Sequence, residues 1–153
     1  MISAPLEALL GSDAVAHVWT RNPDGSPQIS VVWVIARGDE VLFGTDGNSV
    51  KARNLAADPN LILSVEDTER NTRGFQRHVV IRGTARVESG PDPDLMDALA
   101  MKYLGLRHHP LALRDSPTAV VVRVTIDRIS GVGPWINESR TESEPDAAAS
   151  VPV

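Results

Sequence analysis

The hydrophobic residues of this chain fall into short runs separated by turn-forming residues, which is the pattern of β-strands. Six runs are strand candidates: residues 14–20, 28–36, 40–45, 61–67, 77–89 and 118–130. The segments 22–27 and 37–39 separate the first three runs and are rich in glycine, proline and aspartate, which favour tight turns. Tight turns join antiparallel neighbours, so the pattern predicts a mainly β protein with a six-stranded antiparallel barrel, closed or half-closed.

Two segments between these runs have the features of short helices. In residues 49–58, Asn48 or Ser49 is the candidate N-cap, and Asp58-Pro59 ends the segment. Residues 91–105 have a proline near the start and leucines at roughly helical spacing. The polar segment 68–76 contains one aromatic residue and is interpreted as a loop that reaches a ligand.

The second strand candidate differs from the others because nearly every one of its residues is apolar. Its sequence, QISVVWVIA at 28–36, lacks the alternation expected when one face of a strand meets water. This pattern predicts burial on both faces, against the barrel core and against a second subunit.

The last part of the chain has a different composition. Residues 137–153 contain four acidic side chains and one arginine and have no hydrophobic pattern, which predicts a disordered acidic tail. The expected organisation is therefore one folded domain over residues 1–136, followed by the tail. Of the net charge of −5, the tail carries −3, so the domain is nearly neutral. A nearly neutral domain lacks the basic surface of a nucleic-acid-binding protein.

The overall composition excludes several other classes. A hydrophobic fraction of 42% and a charged fraction of 23% are ordinary for a globular domain. The chain has no cysteine, which excludes disulfides, thiolate catalysis and thiolate metal sites. No run reaches the roughly 18 apolar residues needed to cross a bilayer. The first 13 residues lack a basic leader, so a cytoplasmic protein is expected.

The strongest chemical signal is the segment GTDGNSVKARNL at residues 44–55. Lys51 and Arg53 lie in the first turn of the predicted helix, where the helix dipole is already positive. A bound phosphate removes this conflict, and the hydroxyls of Thr45 and Ser49 add hydrogen-bond donors. Two glycines, Gly44 and Gly47, are expected to let the backbone approach a ligand. The alternative is a surface helix whose cations point to water.

Two adjacent histidines, His108 and His109, are the other feature that suggests chemistry. Adjacent side chains in a strand point in opposite directions, and the sequence nearby offers no third ligand at a suitable spacing. The segment is therefore interpreted as a loop with two solvated histidines, and no metal site is expected.

Four segments, in order, resemble the flavin and deazaflavin split-barrel superfamily that includes pyridoxamine 5'-phosphate oxidase. DGSPQISVVWV is similar to the turn and strand that line the cofactor ring, and GTDGNSVKARNLAADPN to the phosphate-binding strand, turn and helix. RHVVIRGTARVE resembles the long return strand, and VTIDRISGVGPW the closing strand. The resemblance covers about residues 8–136 and implies a split β-barrel of the FMN-binding type, with the cofactor at a homodimer interface.

Within the superfamily, VKARNLAADPN and the GVGPW ending look more like the members that use coenzyme F-420. The FMN oxidases carry an arginine immediately before the phosphate-binding lysine, whereas this chain has Val50. They also carry a C-terminal Arg-x-His element that holds pyridoxal phosphate, and no such pair follows Trp135. The oxidation of vitamin B6 is therefore not the expected activity.

The resemblance also implies roles for individual residues. It assigns Lys51 to the cofactor phosphate, with Ser49 and Thr45 as hydrogen-bond partners. It places Gln28, Ser30, Val31 and Val32 along the cofactor ring, largely through backbone groups. His78 occupies the position of a ring-contacting glutamine, and Phe75 and Trp135 cover the substrate side or the cofactor tail. The alternatives are an outward strand face for Gln28 and Ser30, an ordinary strand histidine at His78, and a strand anchor at Trp135.

The function implied is that of an oxidoreductase in which reduced F-420 transfers hydride to an unsaturated or electron-poor organic substrate. His78 is the candidate proton donor, because a histidine can hold a proton near neutral pH. One alternative is an FMN-dependent reductase on the same fold. The other is a non-catalytic flavin- or tetrapyrrole-binding protein, or a cofactor-storage protein.

Overall fold

Seven antiparallel strands form a single sheet in the computed structural model, which describes residues 1–110 and 114–136. In chain order the strands are β1 (Ala16–Arg21), β2 (Pro27–Val32), β3 (Ile35–Arg37), β4 (Glu40–Asp46), β5 (Asn60–Arg70), β6 (Gln76–Ser89) and β7 (Ala119–Val132). Their order across the sheet is β2-β1-β5-β6-β7-β4-β3. The prediction of a mainly β, antiparallel fold is confirmed, and the predicted tail at 137–153 lies outside the described residues.

The prediction of six strands was wrong by one, because the apolar run at 28–36 forms two strands. β2 pairs with β1 and β3 pairs with β4, and Trp33 and Val34 lie between them. These two strands are also the opposite edges of the sheet, so the two-residue connection brings the edges together. Periodicity does not locate such a break, because the residues on both sides of it are equally apolar.

Helix α3 (Pro93–Leu104) stabilises the break by satisfying the backbone groups of Val34. The Tyr103 hydroxyl accepts a hydrogen bond from the Val34 N–H at 3.1 Å and donates to the Ala14 carbonyl at 2.7 Å. The ammonium of Lys102 donates to the carbonyls of Val34 and Leu10. The Trp33 ring stacks on Tyr103 with 5.1 Å between the ring centroids. Side chains therefore replace the strand partner that Val34 lacks.

The outer face of β2 is exposed within one chain, and its burial was predicted against a second subunit. Ile29 is 64% exposed and Val31 is 56% exposed, whereas Val32 on the other face is buried. A single chain therefore covers one face of this strand, and the predicted contact with a second subunit stays a prediction.

Two further helices cover the barrel. Helix α1 (Ala4–Gly11) was not located from the sequence, although Ser3 caps it and it buries Leu6, Leu9 and Leu10 at helical spacing. Helix α2 (Val50–Ala57) lies close to the predicted position, and its N-cap is Ser49, one of the two predicted candidates. None of the helices in residues 1–110 and 114–136 has the length and apolar character to cross a membrane.

The core consists of two clusters of apolar side chains. The larger one lies inside the barrel, beneath α1, and includes Leu10, Val18, Phe43, Leu55, Leu63, Ile81 and Val124. The smaller one lies beneath α3 and comprises Leu42, Leu95, Met96, Leu99 and Val121. The two clusters cover both faces of β4, the strand that leads into α2, because Val41 and Phe43 lie in the larger cluster and Leu42 in the smaller one.

The predicted loop at 68–76 is shorter than expected, because both of its ends belong to strands. β5 continues to Arg70 and β6 begins at Gln76, so only residues 71–75 form the hairpin tip. Arg77 forms ion pairs with Asp67 and Glu69, each at 2.8 Å, and these pairs join the two strands. Polar composition suggested a loop, but a long exposed hairpin also has polar residues on both strands.

We predict that Lys102 makes the stability of the protein depend on pH above neutrality. Burial lowers the pKa of Lys102 to about 8, against the opposing effect of Asp13. Between pH 8 and the ordinary value of 10.5 the unfolded chain binds more protons, so the unfolding free energy should rise with pH. The folding equilibrium constant should increase by at most about tenfold per pH unit, the limit for one proton.

Urea unfolding between pH 7.5 and pH 9.5 measures this effect. The range ends below pH 10 because burial raises the pKa of Tyr103, which acts in the opposite direction at higher pH. The variant Lys102→Met should have a flatter pH profile, and Arg82→Met, which removes an exposed cation, is the control for the loss of one positive charge. An equal slope in Lys102→Met and the unaltered protein would contradict the assignment.

Candidate functional site

The segment between β4 and α2 is held in place by the start of β7. The Gly47 N–H donates to the Thr118 carbonyl at 2.8 Å. The carboxylate of Asp46 accepts from the Asn48 N–H at 2.7 Å and from the Thr118 hydroxyl at 3.0 Å. The Asp46 carbonyl accepts from the Ser49 N–H. These bonds fix the direction in which the first turn of α2 points.

The N-terminus of α2 presents two backbone donors that the protein does not use. The Ser49 hydroxyl accepts from the Ala52 N–H at 3.2 Å, and the Ser49 carbonyl accepts from the Arg53 N–H at 3.1 Å. The N–H groups of Val50 and Lys51 have no hydrogen-bond partner within residues 1–110 and 114–136. Unpaired amides at a helix N-terminus favour an anion.

Lys51 adds a positive side chain beside these amides. It is half-buried, and burial lowers its pKa. Its ammonium forms no hydrogen bond or ion pair with any side chain or carbonyl of the described residues. The first turn of α2 contains no acidic residue that would compensate the charge. A half-buried cation at the positive end of a helix is unfavourable without an anion.

Two hydroxyl groups complete this cluster, as predicted from the sequence. The oxygens of Thr45 and Ser49 are 3.2 Å apart, and either one can be the donor. Thr45 is 7% exposed, so its contact with Ser49 fixes its orientation. The structure therefore places Thr45, Ser49 and Lys51 together around the first turn of α2.

Arg53 lies apart from this cluster. It is exposed and lines a cavity of about 440 Å³ together with Arg21, Asn22 and Asp58. Lys51 does not line this cavity. Residues two apart in a helix do not face each other, so Arg53 and Lys51 lie on different sides of α2.

The two glycines before α2 have a structural explanation that differs from the predicted one. A Cβ at Gly44 would lie 2.7 Å from the sulfur of Met96 in α3. A Cβ at Gly47 would lie 3.0 Å from the Thr118 carbonyl oxygen. Contacts within the protein thus account for both glycines, and the close approach of a ligand is not needed.

The predicted ring-binding strand, β2, is an edge strand with an unpaired side. Backbone groups on such an edge are free to bond a planar ligand. Gln28, Ser30 and Val32 alternate on one face, and Val31 is on the other. The Ser30 hydroxyl is buried without a hydrogen-bond partner, which is unfavourable unless a partner is supplied.

A chain of polar side chains missed by the sequence analysis joins this strand to α2. Asn54 of α2 donates to the hydroxyl of Thr20 on β1 at 3.1 Å and to the Asn22 side-chain carbonyl at 2.9 Å. Thr20 donates in turn to the Gln28 side-chain carbonyl at 3.0 Å. The sequence signal that could have revealed this chain of bonds is Asn54, a polar residue at a position that a short helix buries.

The remaining predicted site residues lie around the start of β6. Phe75 belongs to the hairpin tip. His78 donates from Nδ1 to the Gln76 carbonyl at 3.0 Å, an arrangement that leaves Nε2 available. Trp135 is 7% exposed, and its indole N–H donates to the His78 carbonyl at 2.9 Å. Trp135 thus anchors the chain after β7 to β6, and the Arg77 guanidinium lies over its ring at 5.5 Å.

The description of both histidines in the segment 104–116 as solvated was wrong for His109. This residue is 8% exposed, and its ring lies 5.5 Å from that of Trp33. His108 is exposed and contacts the Asp97 carboxylate at 3.2 Å. In the described part of the chain, no group of three or more acidic or histidine side chains is arranged to hold a metal ion.

Comparison with known proteins places this arrangement in a family. The family model described as pyridoxamine 5'-phosphate oxidase matches residues 3–133. An F420 reductase of known structure is 26% identical with a TM-score of 0.69, over 81% of this chain and 94% of that one. No curated protein matches the chain.

Two other solved structures are similar in fold. A conserved hypothetical protein from Mycobacterium tuberculosis has a TM-score of 0.68 and 24% identity, over 84% of this chain and 82% of that one. A heme storage protein from Vibrio cholerae has a TM-score of 0.65 and 11% identity, over 85% and 94%. Since the family model covers nearly all of the described residues, the chain belongs to the pyridoxamine 5'-phosphate oxidase family and has its split-barrel fold.

Proposed function

We propose that this protein is an oxidoreductase that uses reduced coenzyme F-420 to reduce an unsaturated or electron-poor organic substrate. The observation that supports it is the unpaired, half-buried Lys51 beside two free amides at the N-terminus of α2. These groups suit a phosphate, and the chain is 26% identical to an F420 reductase. F-420 supplies the hydride when bound, and the protein contributes binding, orientation and exclusion of water.

In this proposal each part of the site has a separate task. Lys51 and the amides of Val50 and Lys51 bind the phosphate, with a hydroxyl of Thr45 or Ser49 as a further donor. The free edge of β2 binds the ring through backbone groups of Gln28 to Val32. The unsatisfied hydroxyl of Ser30 acquires a partner if the ligand or a small rotation of the side chain supplies one.

The exposed face of β2 gives a reason to propose a homodimer. Ile29 and Val31 are apolar and more than half exposed, next to the strand that carries the ring contacts. Pairing of two chains through this face removes both side chains from water and closes the site from the other side. Contacts from a second chain, Phe75 among them, then complete the site.

We also propose that the protein is cytoplasmic. A chain without cysteine has no disulfide that the reducing conditions of the cytoplasm would break.

The first prediction concerns the coenzyme. The purified protein should bind F-420 with an affinity of about micromolar or tighter, and FMN more weakly, because Val50 replaces the arginine of the FMN oxidases. Equilibrium titrations followed by fluorescence quenching measure both affinities. A preference for FMN would favour an FMN-dependent reductase. A heme titration followed by absorbance tests the alternative of a tetrapyrrole-binding protein, because a protein of similar fold is a heme storage protein.

The second prediction concerns the phosphate. Lys51→Ala should weaken coenzyme binding by about 1.5–3 kcal/mol, the range for a hydrogen bond to a charged group. This corresponds to roughly ten- to a hundredfold in the dissociation constant. Binding should also weaken as the pH rises through the lowered pKa of Lys51, because the neutral amine does not attract a phosphate.

The matched control is Arg82→Ala, which removes an exposed cation from the outer face of β6. It separates the contact with Lys51 from the general effect of net charge. Equal losses in the two variants, or an unchanged dissociation constant in Lys51→Ala, would place the phosphate elsewhere.

The third prediction concerns His78 as the proton donor. Its Nδ1–H is bonded to the Gln76 carbonyl, so the proton must leave from Nε2 of the doubly protonated ring. His78→Ala should lower the turnover of an activated alkene by about a hundredfold, the lower end for acid catalysis, and should remove the corresponding limb of the pH profile. His108→Ala, at an exposed histidine after α3, is the control. Unchanged turnover and pH profile in His78→Ala would exclude the role.

A further inference from the structure

The chain of hydrogen bonds from Asn54 to Gln28 has a defined direction. Both hydrogens of the Asn54 side-chain amide are used, one by Thr20 and one by Asn22. The Thr20 hydroxyl therefore accepts from Asn54, and its single hydrogen goes to the Gln28 side-chain oxygen. The Gln28 amide is thus oriented with its oxygen toward Thr20 and its NH2 group away from it. That NH2 group has no partner among the described residues.

This chain is buried where a polar group is expensive. Thr20 is fully buried and Asn54 is 5% exposed. An apolar residue at position 54 would avoid the desolvation of the amide, which only a complete set of hydrogen bonds offsets. Packing of α2 against the sheet therefore does not by itself explain why position 54 is an asparagine.

Apart from the bonds that Asp46 and Gly47 form with Thr118 before its first residue, helix α2 has few contacts that fix its position. It has only eight residues, and its other buried side chains are Ala52 and Leu55. Apolar contacts of this kind allow a short helix to slide or rotate, whereas hydrogen bonds are directional. Asn54 lies one helical turn after Lys51, so the bonds that hold it also set the direction of the first turn.

We infer that Asn54 and Thr20 are positioning residues that hold the N-terminus of α2 at a fixed separation from the Gln28 amide on β2. The site then recognises two groups of one ligand: an anionic group at α2, and a hydrogen-bond acceptor, such as a carbonyl of a planar heterocycle, at the Gln28 NH2 group. Gln28 thereby acts through its side chain, in addition to the backbone of β2. This inference rests on the proposed function for the identity of the ligand.

The central test is Thr20→Val, which removes the hydroxyl and keeps the shape of the side chain. Thr125→Val, at an exposed position of β7, controls for the substitution itself, and Ile81→Val controls for a mild loss of core packing. Thr20→Val should bind F-420 about tenfold more weakly, the loss of one hydrogen bond. Its affinity for inorganic phosphate, measured by NMR titration, should change by less than about twofold, because the phosphate needs only one of the two groups.

A double-mutant cycle distinguishes positioning from general destabilisation. If Thr20 acts through Gln28, the combination of Thr20→Val with Gln28→Leu should bind F-420 no more weakly than the weaker single variant. Multiplied losses in the double variant would overturn the inference. So would an equal loss of affinity in Ile81→Val, because reduced stability alone would then explain the effect.

NMR of the ligand-free protein tests the same link without any coenzyme. Thr20→Val should shift the Gln28 side-chain amide and the backbone amides of Val50 and Lys51, and Thr125→Val should shift none of them. Unchanged Val50 and Lys51 signals would overturn the inference, whichever coenzyme binds. If these signals shift while the unaltered protein binds neither F-420 nor FMN, the proposed function fails and the link between β2 and α2 stands.

Discussion

The barrel depends on the interruption of its hydrogen-bonded ladder at Trp33 and Val34. At this point one apolar segment of the chain leaves one edge of the sheet and joins the other. The N–H and C=O of Val34 lose their strand partners there, and an unpaired buried backbone group costs about 1–3 kcal/mol. Lys102 and Tyr103 of α3 supply both partners. The helix is thus part of the closure of the sheet, and β2 is left with a free edge beside α2.

The first turn of α2 has an electrostatic imbalance that the protein itself does not correct. The positive end of the helix dipole, two free amides and the Lys51 ammonium meet there. The nearby Asp46 carboxylate does not compensate them, because it is bonded to Asn48 and Thr118. An imbalance that destabilises the free protein is expected where a ligand of opposite charge binds, since function often conflicts with local stability. The ion pairs on the outer surface of the sheet, such as Arg123 with Glu88, show no such imbalance.

The split barrel by itself does not specify a reaction. An F420 reductase and a heme storage protein both have folds similar to this one. Function on a shared fold is therefore set by a small number of side chains near the ligand. In the function that we propose for this chain, those are the cluster around Lys51, the edge of β2 with Gln28, and His78 at the start of β6. They lie on separate elements, and the bonds of Asn54 connect the first two.

The sequence by itself determined the strand-rich fold and the position of α2, and it narrowed the cap of α2 to Asn48 or Ser49, because alternation and capping are local properties of the chain. It also located Lys51, since a cation in a first helical turn conflicts with the dipole over a few residues. Only the tertiary structure decided where the apolar run breaks, why Gly44 faces Met96, and that His109 is buried. These features depend on contacts between residues far apart in the chain. The bonds from Asn54 to Thr20 are of the same kind, because they join residues 34 positions apart.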